Sequence, residues 1–233
     1  MRRRRESAYD RKAPHRLQSS RLVSTIPFDI WMERQHPECR FSRYADDAVV
    51  HCRTQKQARE VMQSIATRLA ECGLAMHPEK SKIVYCKDSN CTEAYPHVYF
   101  TFLGFTFRPR KAKSKSHRIF TSFLPAVSAD AMKKMRQAVR GWKLNCQTHV
   151  EIAALAKLYN PVIQGWWNYY GAFYPTAMLH LCRHINQALE RWGRRKYRTL
   201  MGRQRASVQW LRKMKNAEPR LFYHWTVVGS EVG

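Results

Sequence analysis

Acidic residues are scarce in this chain of 233 residues, in which 17 Asp and Glu stand against 42 Lys and Arg, giving a formal net charge of +25. A disordered basic tail could carry such a charge, but 44% hydrophobic and 12% aromatic residues indicate a folded body. A folded, aromatic-rich and strongly basic chain predicts a polyanionic partner, most simply nucleic acid.

Long apolar runs are also missing, which argues against a membrane-spanning segment or a secretory signal. An anionic membrane surface is the alternative polyanion. It would call for a basic amphipathic helix or a lipidation motif, and the sequence has neither. We therefore expect no membrane partner.

The chain has no Cys-x-x-Cys pair and an odd number of cysteines, which argues against a disulfide framework or a zinc knuckle. The scattered cysteines are typical of small core residues in a reducing cytosol, so we expect a cytoplasmic protein. They are Cys39, Cys52, Cys72, Cys86, Cys91, Cys146 and Cys182.

Two adjacent carboxylates stand out in Tyr44-Ala45-Asp46-Asp47. Apolar runs on both sides, 39–43 and 48–52, predict a hairpin that presents Asp46 and Asp47 at its tip. Neighbouring carboxylates repel one another unless a cation lies between them, and Mg²⁺ prefers one or two carboxylates together with substrate phosphates. The pattern therefore favours half of a two-metal phosphoryl-transfer site. The alternative is a solvated turn, in which Asp is common.

The chain divides into three parts by its local patterns. Residues 1–27 form a basic stretch without periodicity, which we interpret as a disordered leader. Residues 28–125 predict an α+β unit, and residues 126–233 a helical unit. In the α+β unit, Thr54 and Gln57 form a capping box and Gly73 ends the helix. Short strands are expected at 74–77, 82–86, 99–107 and 118–123, with a basic loop at 108–117.

The helical unit shows its own start signals. Ser128 predicts a helix to about Leu144, and Thr148 with Glu151 predicts a second capping box. Pro161 is expected at the first position of a further helix, where its missing N–H is harmless. A long helix should follow from Thr176 to Trp192 or beyond, and a last one from 207 to 216.

Four segments in order resemble the group II intron reverse transcriptases, including their maturase-specific domain. They are 41–47 (Phe-Ser-Arg-Tyr-Ala-Asp-Asp), 73–80 (Gly-Leu-Ala-Met-His-Pro-Glu-Lys), 102–107 (Phe-Leu-Gly-Phe-Thr-Phe) and 159–171 (Tyr-Asn-Pro-Val-Ile-Gln-Gly-Trp-Trp-Asn-Tyr-Tyr-Gly). The resemblance implies a partial polymerase palm at 28–125 and a thumb or maturase domain at 126–233. It also implies a ribonucleoprotein with intron RNA, an RNA template and a DNA primer as partners.

The resemblance also implies roles for individual residues. Asp46 and Asp47 would hold the catalytic Mg²⁺ ions of an RNA-directed DNA polymerase. Tyr44 and Ala45 would line the nucleotide and primer end. Lys80 and Lys82 are candidates for protonating the leaving pyrophosphate, with a plain phosphate contact or a solvated strand end as alternatives. Leu103 and Gly104 match the turn that grips the primer backbone, and glycine permits a close backbone approach there.

The helical half would bind intron RNA in splicing and mobility. Its basic residues support that prediction independently, because a solvated face does not account for so large an excess of positive charge. The predicted RNA-binding residues are Arg191, Arg194, Arg195, Lys196, Arg198, Arg203, Arg205, Arg212 and Lys213. Trp192, Tyr197 and Trp210 lie among them and suit base stacking, although such aromatics are more often core anchors. We expect Trp166 to Tyr170 to be mostly core, with Asn168 buried and hydrogen-bonded.

The sequence departs from the family's pattern in its first part. The family's third catalytic carboxylate, its fingers and the Gln-Gly-Gly-type segment have no counterpart before the Asp pair. We therefore expect a C-terminal fragment that is catalytically incomplete alone, by loss of transition-state stabilisation. A non-catalytic RNA-binding splicing cofactor is the alternative, and a non-functional remnant is a third. An upstream fragment acting in trans and a homodimer are further expectations.

Overall fold

The computed structural model describes residues 22–87, 95–113 and 119–229. The chain forms two compact units, with the boundary between Ile83 and Val84. Helices and small antiparallel sheets make up both, as the predicted α+β class requires. Among the helices described, none has the length and apolar character needed to cross a membrane. Most of the predicted leader, residues 1–21, lies outside the described residues. Its last part does not match the prediction, because helix α1 begins at Leu22.

The first unit consists of helix α1 (Leu22–Gln35), a hairpin of strands β1 (Phe41–Tyr44) and β2 (Asp47–Val50), and helix α2 (Gln55–Glu71). Its core is small. Met32 from α1, Cys39 before the hairpin and Val61 from α2 are buried together. Half-buried side chains pack around them, namely Phe28, Trp31, Phe41, Val50, Cys52 and Ile65. Burial of the apolar faces of all three elements is what holds the hairpin against the helices.

Both ends of α2 form as the sequence predicts. The Thr54 hydroxyl accepts a hydrogen bond from the Gln57 backbone N–H at 3.1 Å. The Gln57 side chain reaches back to the N–H of Arg53 at 2.8 Å, one residue before the position expected in a capping box. Gly73 has φ +70°, and the N–H of Leu74 donates to the Leu69 carbonyl at 2.8 Å. This is a Schellman ending, which a residue with a Cβ adopts only with strain.

Two predicted strands, 74–77 and 82–86, are wrong. Neither segment belongs to a β-ladder; the chain forms a turn at Pro78–Lys80, where the Ser81 N–H donates to the His77 carbonyl at 3.0 Å. A strand is stabilised by hydrogen bonds to a neighbouring strand, and local residue preference cannot supply that neighbour. Apolar content alone was therefore not enough to predict strands in these two segments.

The second unit opens with a three-stranded antiparallel sheet of β3 (Phe100–Phe102), β4 (Phe105–Lys113) and β5 (Ile119–Val127), in the order β3-β4-β5. The predicted single strand 99–107 is a hairpin, because Leu103 and Gly104 form a two-residue turn with φ of 50° and 78°. Positive φ at both central positions is the type I′ signature, whose twist matches that of the strands. β4 continues through residues 108–113 of the predicted basic loop, and the rest of that loop, 114–117, lies outside the described residues.

In the described part of the second unit, five helices follow the sheet: α3 (Ala129–Gly141), α4 (Ile152–Tyr170), α5 (Leu179–Lys196), α6 (Gln204–Ala217) and α7 (Tyr223–Gly229). Short 3₁₀ turns at Leu144–Cys146, Pro175–Met178 and Arg198–Leu200 connect them. One large core joins these helices, with Trp192 of α5 at 0% exposure in its centre. Ser128 caps α3 as predicted, accepting from the Ala131 N–H at 3.1 Å.

Two start signals in this unit are wrong because tertiary contacts override them. Pro161 lies inside α4, not at a helix start. Its neighbour Asn160 bonds to the Leu221 carbonyl and the Tyr223 N–H, both at 2.9 Å, which ties α4 to the start of α7. Glu151 makes no capping bond and instead pairs with Lys196 at 2.6 Å. Helix α7 was not predicted.

The contacts group β3–β5 with the helices of the second unit. Phe105, 6% exposed, packs among the rings of Tyr169, Tyr170 and Phe173, at centroid distances of 5.1, 5.5 and 5.4 Å. These rings belong to the end of α4 and the residues after it. The domain boundary predicted after residue 125 from the local sequence patterns stays a prediction.

Candidate active site and nucleic-acid interface

The Asp hairpin has the predicted geometry. Phe41 faces Val50 and Tyr44 faces Asp47, so Ala45 and Asp46 form a two-residue turn. Ala45 has φ +53°, a left-handed conformation that costs energy for any residue with a Cβ. Side chains alternate along a strand, so Tyr44 and Asp47 share the face opposite to Phe41.

An ion pair on the other face supports the turn. The Arg43 guanidinium donates two hydrogen bonds, each 2.7 Å, to the two carboxylate oxygens of Asp29 in α1. A third, also 2.7 Å, goes to the Ala45 carbonyl at the turn itself. The hydrogen bonds that Arg43 donates to Asp29 raise the pKa of the guanidinium. A bidentate pair fixes orientation as well as distance, so α1 holds the strained turn in place.

Asp46 and Asp47 are both exposed, as are Tyr44 and Ala45. Two adjacent carboxylates at a tip open to solvent suit a hard divalent cation that keeps waters and takes further oxygen ligands from a phosphate. Within the described residues, no group of three or more His, Cys, Asp or Glu converges on one point. The chemistry of the two carboxylates therefore fits a site in which both are ligands of Mg²⁺.

The other predicted polymerase residues are divided between the units. Lys80 and Lys82 are exposed, on the turn and irregular segment after α2 in the first unit. Leu103 and Gly104 lie in the second unit, at the tip of the β3–β4 hairpin. The Leu103 side chain is 37% exposed, so this tip is accessible.

Exposed arginines form one stripe along α5. Arg183, Gln187, Arg191 and Arg195 recur every four residues and are all exposed, whereas the opposite face of the helix is buried in the core. A four-residue spacing places side chains above one another on a helix. Arg191 and Arg195 are among the predicted RNA-binding residues and Arg183 is not, although the same four-residue spacing indicates it.

Helix α6 and the turn before it extend this basic surface. Arg198, Arg203, Arg205, Arg212 and Lys213 are all exposed. Arg205 and Arg212 are seven residues apart and lie on the outward side of α6, while Ser207 and Leu211 are buried. We call the exposed arginines of the α5 stripe together with these five residues the α5–α6 basic surface.

Two of the predicted RNA-binding residues have partners within the protein. The Lys196 ammonium donates to Glu151 Oε1 at 2.6 Å and to the carbonyls of Val150 and Thr148 at 3.0 and 3.2 Å, which uses all three of its protons. Arg194 is half-buried and donates to Ser207 Oγ at 2.7 Å, linking α5 to α6. An RNA contact through Lys196 would require breaking those bonds.

The aromatic residues between these arginines pack internally. Trp192 donates to the Gln147 carbonyl at 3.0 Å, and its ring lies 5.9 Å from Tyr197 and 6.1 Å from Trp210. They anchor α5 and α6, which is the alternative that sequence analysis kept open. Asn168, predicted to be buried, is exposed and accepts a 3.3 Å hydrogen bond from the Tyr223 hydroxyl.

Two family models match this chain, one on each side of the segment 108–131. Residues 17–107, which include both the Asp hairpin and the Leu103-Gly104 turn, match the reverse transcriptase (RNA-dependent DNA polymerase) model. Residues 132–210, from α3 into α6, match the group II intron maturase-specific domain. Together the two matches support a group II intron reverse transcriptase/maturase. No curated protein matches it.

The matched segments locate both candidate sites within this reverse transcriptase/maturase. The Asp hairpin falls within the reverse transcriptase segment, and most of the α5–α6 basic surface falls within the maturase-specific segment. Arg212 and Lys213 lie just beyond it. The resemblance found in the sequence motifs is therefore confirmed.

Proposed function

We propose that this chain binds structured group II intron RNA through the α5–α6 basic surface and acts as a maturase in splicing. The observation behind this proposal is a set of four exposed arginines, Arg191, Arg195, Arg205 and Arg212. These four guanidiniums stand on two helices whose relative position is fixed by Trp192, Trp210 and the Arg194–Ser207 bond. Arginine suits phosphate because its planar fork matches two phosphate oxygens.

The test compares two variants that lose the same charge. Arg205→Gln/Arg212→Gln removes two outward cations of α6, and Lys56→Gln/Arg59→Gln removes two exposed cations of α2. Binding of the full chain to a group II intron RNA is measured by filter retention between 50 and 200 mM salt. We expect the α6 pair to weaken binding about tenfold and to reduce the salt slope by about 2, since each lost phosphate contact lowers it by about 1.

An unrelated structured RNA of equal length is the control for specificity. Equal losses from the α2 and α6 pairs would contradict the proposed surface and indicate diffuse attraction to the net charge. Equal affinity for both RNAs would contradict an intron-specific role. Sedimentation of the same complexes also tests the expected homodimer.

For the hairpin, we propose that Asp46 and Asp47 are the Mg²⁺ ligands of an RNA-directed DNA polymerase site that is incomplete in this chain. When bound there, Mg²⁺ would neutralise the charge that develops on the phosphates during nucleotide addition. Two-metal chemistry draws on a further carboxylate. Asp29 of α1 has both oxygens engaged by Arg43, so a metal bound there would compete with that ion pair.

Primer extension on an RNA template tests this second proposal. Wild type and Asp46→Asn are compared with Mg²⁺ and Mn²⁺, and Mn²⁺ binding is followed separately by electron paramagnetic resonance. We expect weak Mn²⁺ binding that Asp46→Asn abolishes, with no extension by either protein. Extension that Asp46→Asn abolishes would overturn the proposed incompleteness. Adding a separate reverse-transcriptase fragment to the assay tests the expected complementation in trans.

A further inference from the structure

The Leu103-Gly104 turn, between β3 and β4, is held from two sides by the helical part of the second unit. On one side the Tyr169 hydroxyl of α4 donates to the Leu103 carbonyl at 3.0 Å. On the other the N–H of Ser128, the residue that caps α3, donates to the Gly104 carbonyl at 2.8 Å. The turn therefore has a fixed position relative to both helices.

Tyr170 completes this contact through its ring. A Cβ placed on Gly104 would lie 3.0 Å from the Tyr170 hydroxyl oxygen and 3.1 Å from its Cε1 atom, closer than ordinary van der Waals contact. Gly104 thus serves two purposes, since its φ of +78° also disfavours any side chain. Leu103 holds φ +50° with a full side chain, a conformation that persists only where surrounding contacts impose it.

We propose that Tyr169 and Tyr170 are positioning residues that make the primer-contacting turn dependent on the maturase helix α4. The inference rests on the proposed polymerase function and on the contact with the primer backbone that the family resemblance implies for Leu103 and Gly104. The contact joins two segments that match different family models, 17–107 and 132–210. Intron RNA held on the helical part and a primer held at the turn would then share one rigid framework.

The decisive variant is Tyr169→Phe, which removes only the hydroxyl that reaches Leu103. Tyr159→Phe is the matched control, because it also removes one hydroxyl from α4, one that contacts the Gln147 side chain at 3.0 Å. Hydrogen exchange of the segment 100–107 is measured on the full chain. We expect about fivefold faster exchange in Tyr169→Phe, the factor that one net hydrogen bond is worth, and wild-type exchange in Tyr159→Phe. Equal exchange of the segment 100–107 in the two variants would overturn the proposed role of Tyr169.

A second measurement tests the link to the primer. A photoreactive phenylalanine analogue replaces the exposed Leu103, and crosslinks to a DNA primer annealed to an RNA template are mapped by nucleotide. We expect one dominant primer position with Tyr169 present and a spread over neighbouring positions with Tyr169→Phe, while total binding changes less than twofold. An unchanged crosslink pattern would overturn the positioning role. If no variant crosslinks to the primer, although Tyr169→Phe speeds hydrogen exchange of the segment 100–107, the primer contact is wrong. The bond from Tyr169 to Leu103 then has only a structural role.

Discussion

At the scale of single residues, burial changes the chemistry of side chains that look ordinary in the sequence. Cys39 lies in the small core of the first unit, 4% exposed, and burial raises the pKa of its thiol to about 12. Cys52 and Glu38 nearby push that pKa in the same direction. Cys72 is exposed at the end of α2.

We predict that Cys39 reacts about a hundredfold more slowly than Cys72 with iodoacetamide at pH 8, because only the thiolate is nucleophilic. Mass spectrometry of tryptic peptides over a time course measures both rates in one sample. In urea the two rates should converge, which serves as the control. Comparable rates in the folded chain would mean that the hairpin core opens frequently.

Burial of the His224 side chain should make the folded protein less stable in acid. It is 1% exposed, its Nε2 bonds to Asn186 Oδ1 at 2.8 Å, and no partner among the described residues meets its Nδ1. Asn186 Oδ1 also accepts from the Trp225 indole at 2.9 Å, so the His224 Nε2 must carry the proton. Burial lowers the pKa of His224 from 6.5 to about 3, with a smaller contribution from Lys215.

Because the folded state disfavours the charged ring, its contribution to stability is complete above pH 6.5 and declines as the pH falls from 6.5 towards 3. We predict that wild type loses about 2 kcal/mol more than His224→Gln between pH 7 and pH 5. Urea unfolding followed by tryptophan fluorescence measures the difference. His149→Gln, at an exposed histidine, should behave as wild type. Equal losses in wild type and His224→Gln would contradict the prediction.

At the scale of elements, the packing of α5 on α6 depends on one glycine. A Cβ on Gly193 would lie 2.7 Å from Cζ3 of Trp210, which is closer than real contacts allow. Gly165 in α4 is the opposite case, because a Cβ added there would meet no atom of the described residues within 4 Å. We predict that Gly193→Ala costs about 1–3 kcal/mol through overpacking, whereas Gly165→Ala stabilises by up to about 1 kcal/mol.

Thermal and urea unfolding of both alanine variants provide the comparison. Because α5 and α6 carry the proposed RNA surface, Gly193→Ala should also weaken intron RNA binding, and Gly165→Ala should not. Two variants of equal stability would show that Trp210 moves aside without cost. Loss of RNA binding with both would indicate that α4 contributes to the interface.

Elements whose signals are local were predicted from the sequence, and those set by distant partners were not. Thr54, Gln57 and Gly73 act within one helix, so the ends of α2 follow from neighbouring residues. Glu151 forms an ion pair with Lys196, 45 residues away, and no pattern in the neighbouring sequence indicates this pairing. The same holds for the site. The Asp46-Asp47 hairpin follows from its own pattern, whereas the bond from Tyr169 to Leu103 spans 66 residues.

At the scale of the whole molecule, the two units differ in how much core each contains. Among the described residues of the first unit, only Met32, Cys39 and Val61 form its buried cluster. The second unit has a far larger cluster that includes Leu155, Ile185, Leu189 and Trp192. Since burial of apolar surface is the main source of stability, the first unit should open at lower free energy.

We predict that amides of α2 exchange with solvent at least about tenfold faster than amides of α5 in the free chain, and that low urea widens the gap. Hydrogen exchange with mass spectrometry resolves both helices in one experiment, with α4 as the internal reference for the second unit. Equal protection of α2 and α5 throughout the urea series would mean that the units unfold as one cooperative body, in which case the hairpin and the RNA surface share a single stability.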